Sequence, residues 1–162
     1  MRHGRATIAL VALLVALLLA LPRPLWAKCS AEGVDIRGPW GQAHFNVEVA
    51  DDARARAIGL MNRDRMSPSA GMLFIYPAPR SVAFWMKNTL IPLDMLFLDK
   101  TGRVVRIHQN AQPMNETPIP GGENIKAVLE INGGMVRALG IGEGSELRHP
   151  AFAAAAAAWP CD

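Results

Sequence analysis

One segment of the chain sets a cation, an amide and a hydroxyl among large apolar side chains. It reads FWMKNTLIPLD, and its polar donors are Lys87, Asn88 and Thr89. Buried polar groups need hydrogen-bond partners, so this mixture predicts a satisfied polar network beside a pocket. Together with Arg63, the donors could bind an anion or a sugar hydroxyl, with Trp85 as a stacking wall. The alternative makes Trp85 a core anchor and Asn88 an amide that braces a loop.

Two acidic residues lie inside apolar, strand-like runs. Asp94 stands in LDMLFL and Glu130 in VLEI, so both carboxyl groups should be at least partly buried. Burial shifts the pKa of a carboxyl group, and two acids about 5–10 Å apart could serve as acid and base in glycoside cleavage. The second hypothesis is therefore a hydrolase or lyase that uses Asp94 and Glu130 on a cell-envelope polymer or a small polar metabolite. The alternative is a structural network in which Arg63, Lys87, Asn88 or backbone amides hold each acid.

Four sequence blocks stand out as a set: GLMNR at 59–63, GMLF at 71–74, FWMKNTLIPLD at 84–94 and VLEINGG at 128–134. They resemble the domain of unknown function 192 family, occur in the family's order and cover roughly residues 45–150. The resemblance implies a mainly-β domain. It places the third block, Arg63 and Glu130 among the family's characteristic residues, and it implies no reaction, because the family has no established activity.

The polar residues and a long loop together favour a binding site over catalysis. The stretch 112–124 contains three prolines and two glycines and is long enough to act as a functional cover. The leading hypothesis is therefore a small exported binding or accessory domain that needs no cofactor and takes an unknown polar ligand or envelope component. The candidate ligand-binding residues are Arg63, Trp85, Lys87, Asn88, Thr89, Asp94 and Glu130.

A third hypothesis, beside the binding domain and the acid–base enzyme, is a periplasmic Cu(I)-binding protein. Soft ligands select this ion, and Met72, Met86 and His44 are the candidates. The methionines, however, are scattered at spacings typical of core residues. The histidines show no short ligand spacing and both cysteines lie towards the ends of the mature chain, so no zinc site is predicted.

The first 27 residues are typical of a secretory signal peptide. Arg2 and Arg5 precede an uncharged run over 6–21, and Pro22 then ends any helix. The run is shorter than the ~20 apolar residues of a spanning helix. We therefore expect a periplasmic or secreted protein. The alternative is an uncleaved inner-membrane anchor over 6–21, with the domain facing the periplasm.

The formal net charge of +3 overstates how basic the mature protein is. Cleavage before Lys28 would remove three of the 17 basic residues and none of the 14 acidic ones. The mature chain is therefore close to neutral and carries no basic patch with interleaved aromatic residues. Nucleic acid is excluded as an expected partner, and a monomer is expected.

Two cysteines, Cys29 and Cys161, stand near the two ends of the mature chain. A disulfide is allowed in an oxidising compartment. It would close a loop of more than a hundred residues, for which loop entropy allows on the order of 4–5 kcal/mol. The alternative is two free thiols in loose ends.

The remaining pattern predicts one mainly-β domain, a small sandwich or barrel with one helix in its N-terminal half and a short second helical turn. We expect a polar, turn-rich lead-in over 28–42, the domain over 43–150 and an Ala-rich, low-complexity tail over 151–162. That tail should fray unless Cys161 anchors it.

Within the domain, strict alternation predicts a strand over 44–49. Asp51 or Asp52 can cap a helix that runs to about Asn62. A hairpin is predicted to join strands 93–98 and 103–108. The other predicted elements are short strands over 72–76, 82–86, 127–131 and 146–149 and a helical turn over 135–139.

Overall fold

The computed structural model describes residues 29–161, so the predicted signal peptide or anchor over 1–27 lies outside the described residues. The described chain confirms the mainly-β fold class, with seven strands and two short helices. No helix within residues 29–161 is both long and apolar enough to cross a bilayer. The strands are β1 (Gly33–Gly38), β2 (Gly41–Ala50), β3 (Ala70–Phe84), β4 (Leu93–Leu98), β5 (Val104–Ala111), β6 (Ile119–Asn132) and β7 (Glu146–Arg148); the helices are α1 (Ala53–Ile58) and α2 (Met135–Leu139).

The strands form one curled sheet in the order β5-β4-β6-β3-β2-β1-β7. Neighbouring strands are antiparallel except β2 and β3, which run parallel because α1 carries the chain across between them. The curl brings the sheet's two edges together at one end. There Arg103 forms a bridge with Glu146, and the Leu147 amide donates to the Gly102 carbonyl at 2.8 Å.

The curled sheet has an apolar core on each face. Leu96, Leu98 and Leu129 belong to the inner core, while Met95 and Phe97 belong to the outer one. Successive side chains of a strand point to opposite faces, which is why neighbours in the sequence enter different cores. β4 is buried along its whole length because both of its faces are covered.

α1 covers part of the outer core. The Asp52 side chain accepts a hydrogen bond from the Ala55 amide at 2.8 Å, as expected of an N-cap, and the helix ends before Gly59, where φ is 51°. The helix is therefore shorter than predicted. A side chain at Gly59 would also press on the Phe74 ring, 3.2 Å from an added Cβ.

The predicted lead-in segment is instead a strand. β1 lies between β2 and β7, and its Val34 and Ile36 are fully buried in the inner core. The polar side chains of Asp35 and Arg37 alternate with them on the other face. Only two apolar residues mark this strand, which is why its sequence looked like a turn-rich loop.

Two further elements are longer than predicted. The two short strands over 72–76 and 82–86 are one strand, β3, whose register shifts between Ile75 and Arg80 let the intervening prolines remain at exposed positions. The predicted loop over 112–124 is a loop only as far as residue 118. From there β6 begins, and Ile119 pairs with Phe84.

The Ala-rich tail packs against the curled sheet. Cys29 and Cys161 are joined by a disulfide with an S–S distance of 2.08 Å. Phe152 is buried in the inner core, and the centre of the Trp159 ring lies 4.3 Å from the guanidinium carbon of Arg37 and 4.6 Å from that of Arg148. Apolar burial and the disulfide together hold this segment in place, which its Ala-rich composition alone would not do.

Candidate functional site

A cavity of about 100 Å³ opens on the outer face of the sheet, between α1, β3, β6 and the segment that follows β3. It has room for several water molecules or a group of a few non-hydrogen atoms, and it is smaller than the ~300–1,000 Å³ of most small-molecule sites. Its polar and aromatic lining is Arg56, Tyr76, Trp85, Thr89 and Glu130, and its apolar lining includes Leu60, Met61, Phe74 and Phe84.

Glu130 is the buried acid of this cavity. Alternation along β6 points it to the outer face, between its cross-strand neighbours Met72 of β3 and Met95 of β4. It is only 4% exposed, and no side chain or amide of residues 29–161 donates a hydrogen bond to its carboxyl group. Burial in these apolar surroundings raises the pKa of Glu130 to about 8. At neutral pH the group is therefore a neutral carboxylic acid that can both donate and accept.

Arg56 brings a positive charge to the rim of the cavity. Its Nη1 donates to the Ile75 carbonyl at 2.8 Å and also to the Asp51 carbonyl. Its guanidinium carbon lies 5.2 Å from the centre of the Tyr76 ring. The Nε and Nη2 donors have no partner among residues 29–161, which leaves a fork of the kind that binds carboxylates.

Tyr76 adds a hydroxyl group. Burial raises the pKa of its phenol, although the nearby cations of Arg56 and Arg80 oppose the shift. The hydroxyl therefore stays protonated and available as a donor at neutral pH.

Three of the seven predicted ligand-binding residues line the cavity: Trp85, Thr89 and Glu130. Trp85 is half exposed, so it is a wall of the cavity and not the core anchor of the alternative interpretation. Thr89 is buried and its Oγ1 donates to the Lys87 carbonyl at 3.2 Å. Lys87 itself places its Nζ 5.3 Å from the Trp85 ring but does not line the cavity.

Arg63 and Asn88 are used elsewhere. The Arg63 guanidinium forms a two-pronged ion pair with Glu48, with Nη2 and Oε2 2.6 Å apart. Asn88 is exposed in a left-handed conformation, and its carbonyl accepts from the Asn62 amide at 2.7 Å. The loop contact of Asn88 is therefore made by its backbone, and its side-chain amide has no hydrogen-bond partner among residues 29–161.

Asp94 lies on the other face of the sheet. Its Oδ1 accepts from the Asn110 amide at 2.7 Å, and its Oδ2 accepts from the Val136 amide of α2 at 2.8 Å. Across β4 and β6, Met95 pairs with Glu130 while Asp94 pairs with Ile131, so the two acids point to opposite sides. The hypothesis of a hydrolase or lyase that uses Asp94 and Glu130 together is therefore wrong, because the sheet separates them.

The candidate copper ligands are not brought together either. Met72 and Met86 are both buried in the outer core, but the His44 imidazole is more than half exposed and pairs with Asp35 at 2.8 Å. Met72 pairs with Glu48 in the parallel pair of β2 and β3, and His44 precedes Glu48 by four residues. Four residues of a strand span ~13 Å, so His44 lies that far along β2 from the position opposite Met72. Among residues 29–161 no group of three or more His, Cys, Asp or Glu side chains could hold a metal ion.

The sequence did not single out Arg56 or Tyr76. Arg56 alternates with Arg54 on a short helix and has the pattern of a solvated face. Tyr76 is the protein's single tyrosine and directly precedes Pro77, at the end of an apolar run. A polar-tipped aromatic residue at that position is a weak signal, and the fold is needed to place it beside Glu130.

Comparisons with known proteins identify the family and the fold of the chain. The model of the family DUF192, described as "Uncharacterized ACR", matches residues 36–149, which include every residue of the cavity. A crystal structure of a protein of unknown function from Novosphingobium aromaticivorans is 38% identical, with a TM-score of 0.71 over 78% of this chain and 89% of that one. Another, of a protein from Sinorhizobium meliloti described as a "putative transcription regulator", is 40% identical, with a TM-score of 0.72 over 77% of this chain and 98% of that one. No curated protein matches the chain.

Proposed function

This chain belongs to the DUF192 family, for which no activity is established, and we propose that it acts as a small exported binding domain. One group of a polar ligand or envelope component enters the cavity at Glu130, and the rest of the molecule lies over Trp85. The observation that carries the proposal is a buried carboxyl group that opens to a cavity and has no partner among residues 29–161.

The hydrogen bonding of Glu130 supports a ligand. No side-chain nitrogen or oxygen of residues 29–161 is both fully enclosed and without a partner, so the Glu130 oxygens reach the cavity and are not sealed in the core. A side chain kept only for structure would be expected to have protein partners, as Asp94 has two. A bound ligand would supply the missing partner, and water would do so in the free protein.

Exposed apolar side chains support a larger ligand that extends beyond the cavity. Five large hydrophobic side chains are exposed within residues 29–161: Ile58, Trp85, Leu90, Val105 and Met114. Ile58 and Trp85 line the cavity. Leu90 follows Thr89 in the chain, and the Met114 amide bonds to the Thr89 carbonyl at 3.0 Å. Two of the five therefore line the cavity, and two more adjoin its lining residue Thr89 through the backbone, so exposed apolar side chains lie close to the opening.

Export is the other half of the proposal. Its support is the basic start and uncharged run of the first 27 residues, together with the disulfide between Cys29 and Cys161. Disulfides persist in oxidising compartments such as the periplasm.

A pair of matched variants tests the binding proposal. Ala83 lines the cavity and Ala138 is equally exposed but lies outside it. Wild-type protein, Ala83→Trp and Ala138→Trp would each be incubated with periplasmic extract, and the retained small molecules measured by mass spectrometry. We expect one or more molecules retained by the wild type and Ala138→Trp and lost with Ala83→Trp. Equal retention by all three, or retention of nothing, would contradict the proposal.

A further inference from the structure

We infer that the cavity recognises a carboxylate, held by the free fork of Arg56 and by the carboxyl O–H of Glu130. The inference rests on the proposed binding function and names the chemistry of its ligand. Because the cavity holds only a few non-hydrogen atoms, the carboxylate is the terminal group of a molecule whose remaining part contacts Trp85 and Ile58.

The cavity presents donors where a carboxylate presents acceptors. Arg56 offers Nε and Nη2, and Tyr76 offers its hydroxyl. Glu130 adds a fourth donor, since its own carboxyl group is protonated at neutral pH. The Thr89 hydroxyl donates its hydrogen bond to the Lys87 carbonyl, so it offers a ligand only one weak acceptor. A group with two acceptor oxygens fits this set better than an ammonium group or a hydroxyl.

The charges around the cavity favour an anion. At neutral pH the single formal charge among the lining residues is that of Arg56. Two further cations lie against the aromatic walls: Arg80 is 5.8 Å from the Tyr76 ring and Lys87 is 5.3 Å from the Trp85 ring. The acid that interacts with Arg56, Asp52, accepts from the Ala55 amide as the N-cap of α1. Complementary charge of this kind raises both the rate and the selectivity of binding.

Ionisation of Glu130 would switch the site off. The titratable or charged groups that share the cavity with it are Arg56 from α1 and Tyr76 from β3, whose pKa is raised by burial and by Glu130. Its cross-strand neighbours, Met72 from β3 and Met95 from β4, are uncharged. Above pH 8 the ionised Glu130 repels the ligand and no longer donates. Because one proton is lost per site, carboxylate affinity falls about tenfold per pH unit in that range.

The probe for the experiment is 4-fluorobenzoate, followed by fluorine NMR with the disulfide-bonded protein. Its own charge is constant between pH 6.5 and pH 9. We expect binding at pH 6.5 and about tenfold weaker binding at pH 9. Glu130→Gln, which keeps an uncharged donor, should bind equally at both values of pH. Arg56→Met should lose at least tenfold in affinity, and the exposed neighbour Arg54→Met should change it less than twofold.

The trimethyl(4-fluorophenyl)ammonium cation provides the opposite charge at every pH. If it binds in place of benzoate, and more tightly at pH 9, the carboxylate inference is wrong while the binding domain stands. The inference is also overturned if the affinity for 4-fluorobenzoate changes neither with pH nor with the substitution Arg56→Met. If neither probe binds but Ala83→Trp still loses a retained molecule, only the carboxylate inference fails. If nothing is retained either, the proposed function fails with it.

Discussion

Asp94 and Glu130 stand on adjacent strands, one register position apart, and both are acids buried among apolar residues. Their surroundings differ in one respect. Asp94 accepts hydrogen bonds from the amides of Asn110 and Val136, which tie β5 and α2 to the inner core. Glu130 has no donor among residues 29–161 and opens to a cavity on the outer face. The first acid is part of the scaffold, and the second is free to meet a ligand.

The comparison shows that burial alone does not identify a functional acid. Asp94 is the more buried of the two, yet its oxygens are occupied by backbone amides. An acid becomes a candidate for function when it is buried, lacks protein partners and faces a space that a ligand can enter.

Removing Asp94 gives the largest expected effect. Asp94→Ala leaves two amides without acceptors, at about 1–3 kcal/mol each or more because the lost acceptor is a carboxylate. We expect the free energy of unfolding to fall by about 3–6 kcal/mol, measured by urea denaturation. Asp94→Asn keeps one acceptor oxygen and should lose about half as much. A loss below about 1 kcal/mol for Asp94→Ala would show that Asp94 is not structural.

The pH dependence of the free energy of unfolding tests how Glu130 differs from Asp94. Below about pH 4.5 its carboxyl group is protonated in both the folded and the unfolded protein. Between there and about pH 8 the unfolded chain loses the proton and the folded protein keeps it, so stability falls as pH rises.

The expected loss is about 2–4 kcal/mol between pH 5 and pH 8 for the wild type relative to Glu130→Gln, measured by denaturation at each pH. Comparison with the glutamine variant removes the contribution of every other titrating group. Parallel curves for the two proteins would mean that Glu130 ionises freely in the fold.

Trp85 gives the smallest effect on stability. Because it is half exposed at the cavity mouth, Trp85→Ala should lower the free energy of unfolding by about 1 kcal/mol or less. The fully buried Phe97 of the outer core is the control, and Phe97→Ala should cost about 3–5 kcal/mol. Similar losses for the two variants in urea denaturation would make Trp85 a core residue.

Local pattern was enough to predict the regular strands and the hairpin of β4 and β5. The apolar runs predicted the burial of both acids, and the pair Asp51 and Asp52 predicted the start of α1 to within one residue. Pattern could not supply the register between β4 and β6, which alone decides that Asp94 and Glu130 face opposite ways. It also failed for β1, whose apolar residues are too few, and for Arg56 and Tyr76, which meet only in the folded chain.

The protonation state of Glu130 is the most direct test of this account. In protein labelled with ¹³C at the glutamate side-chain carboxyl, the Glu130 signal is identified by its absence from Glu130→Gln and followed from pH 3 to pH 10. The account predicts a midpoint near pH 8, where burial places it. A midpoint near 4.5 would show an ordinary, solvated carboxylate and would contradict the account of the cavity.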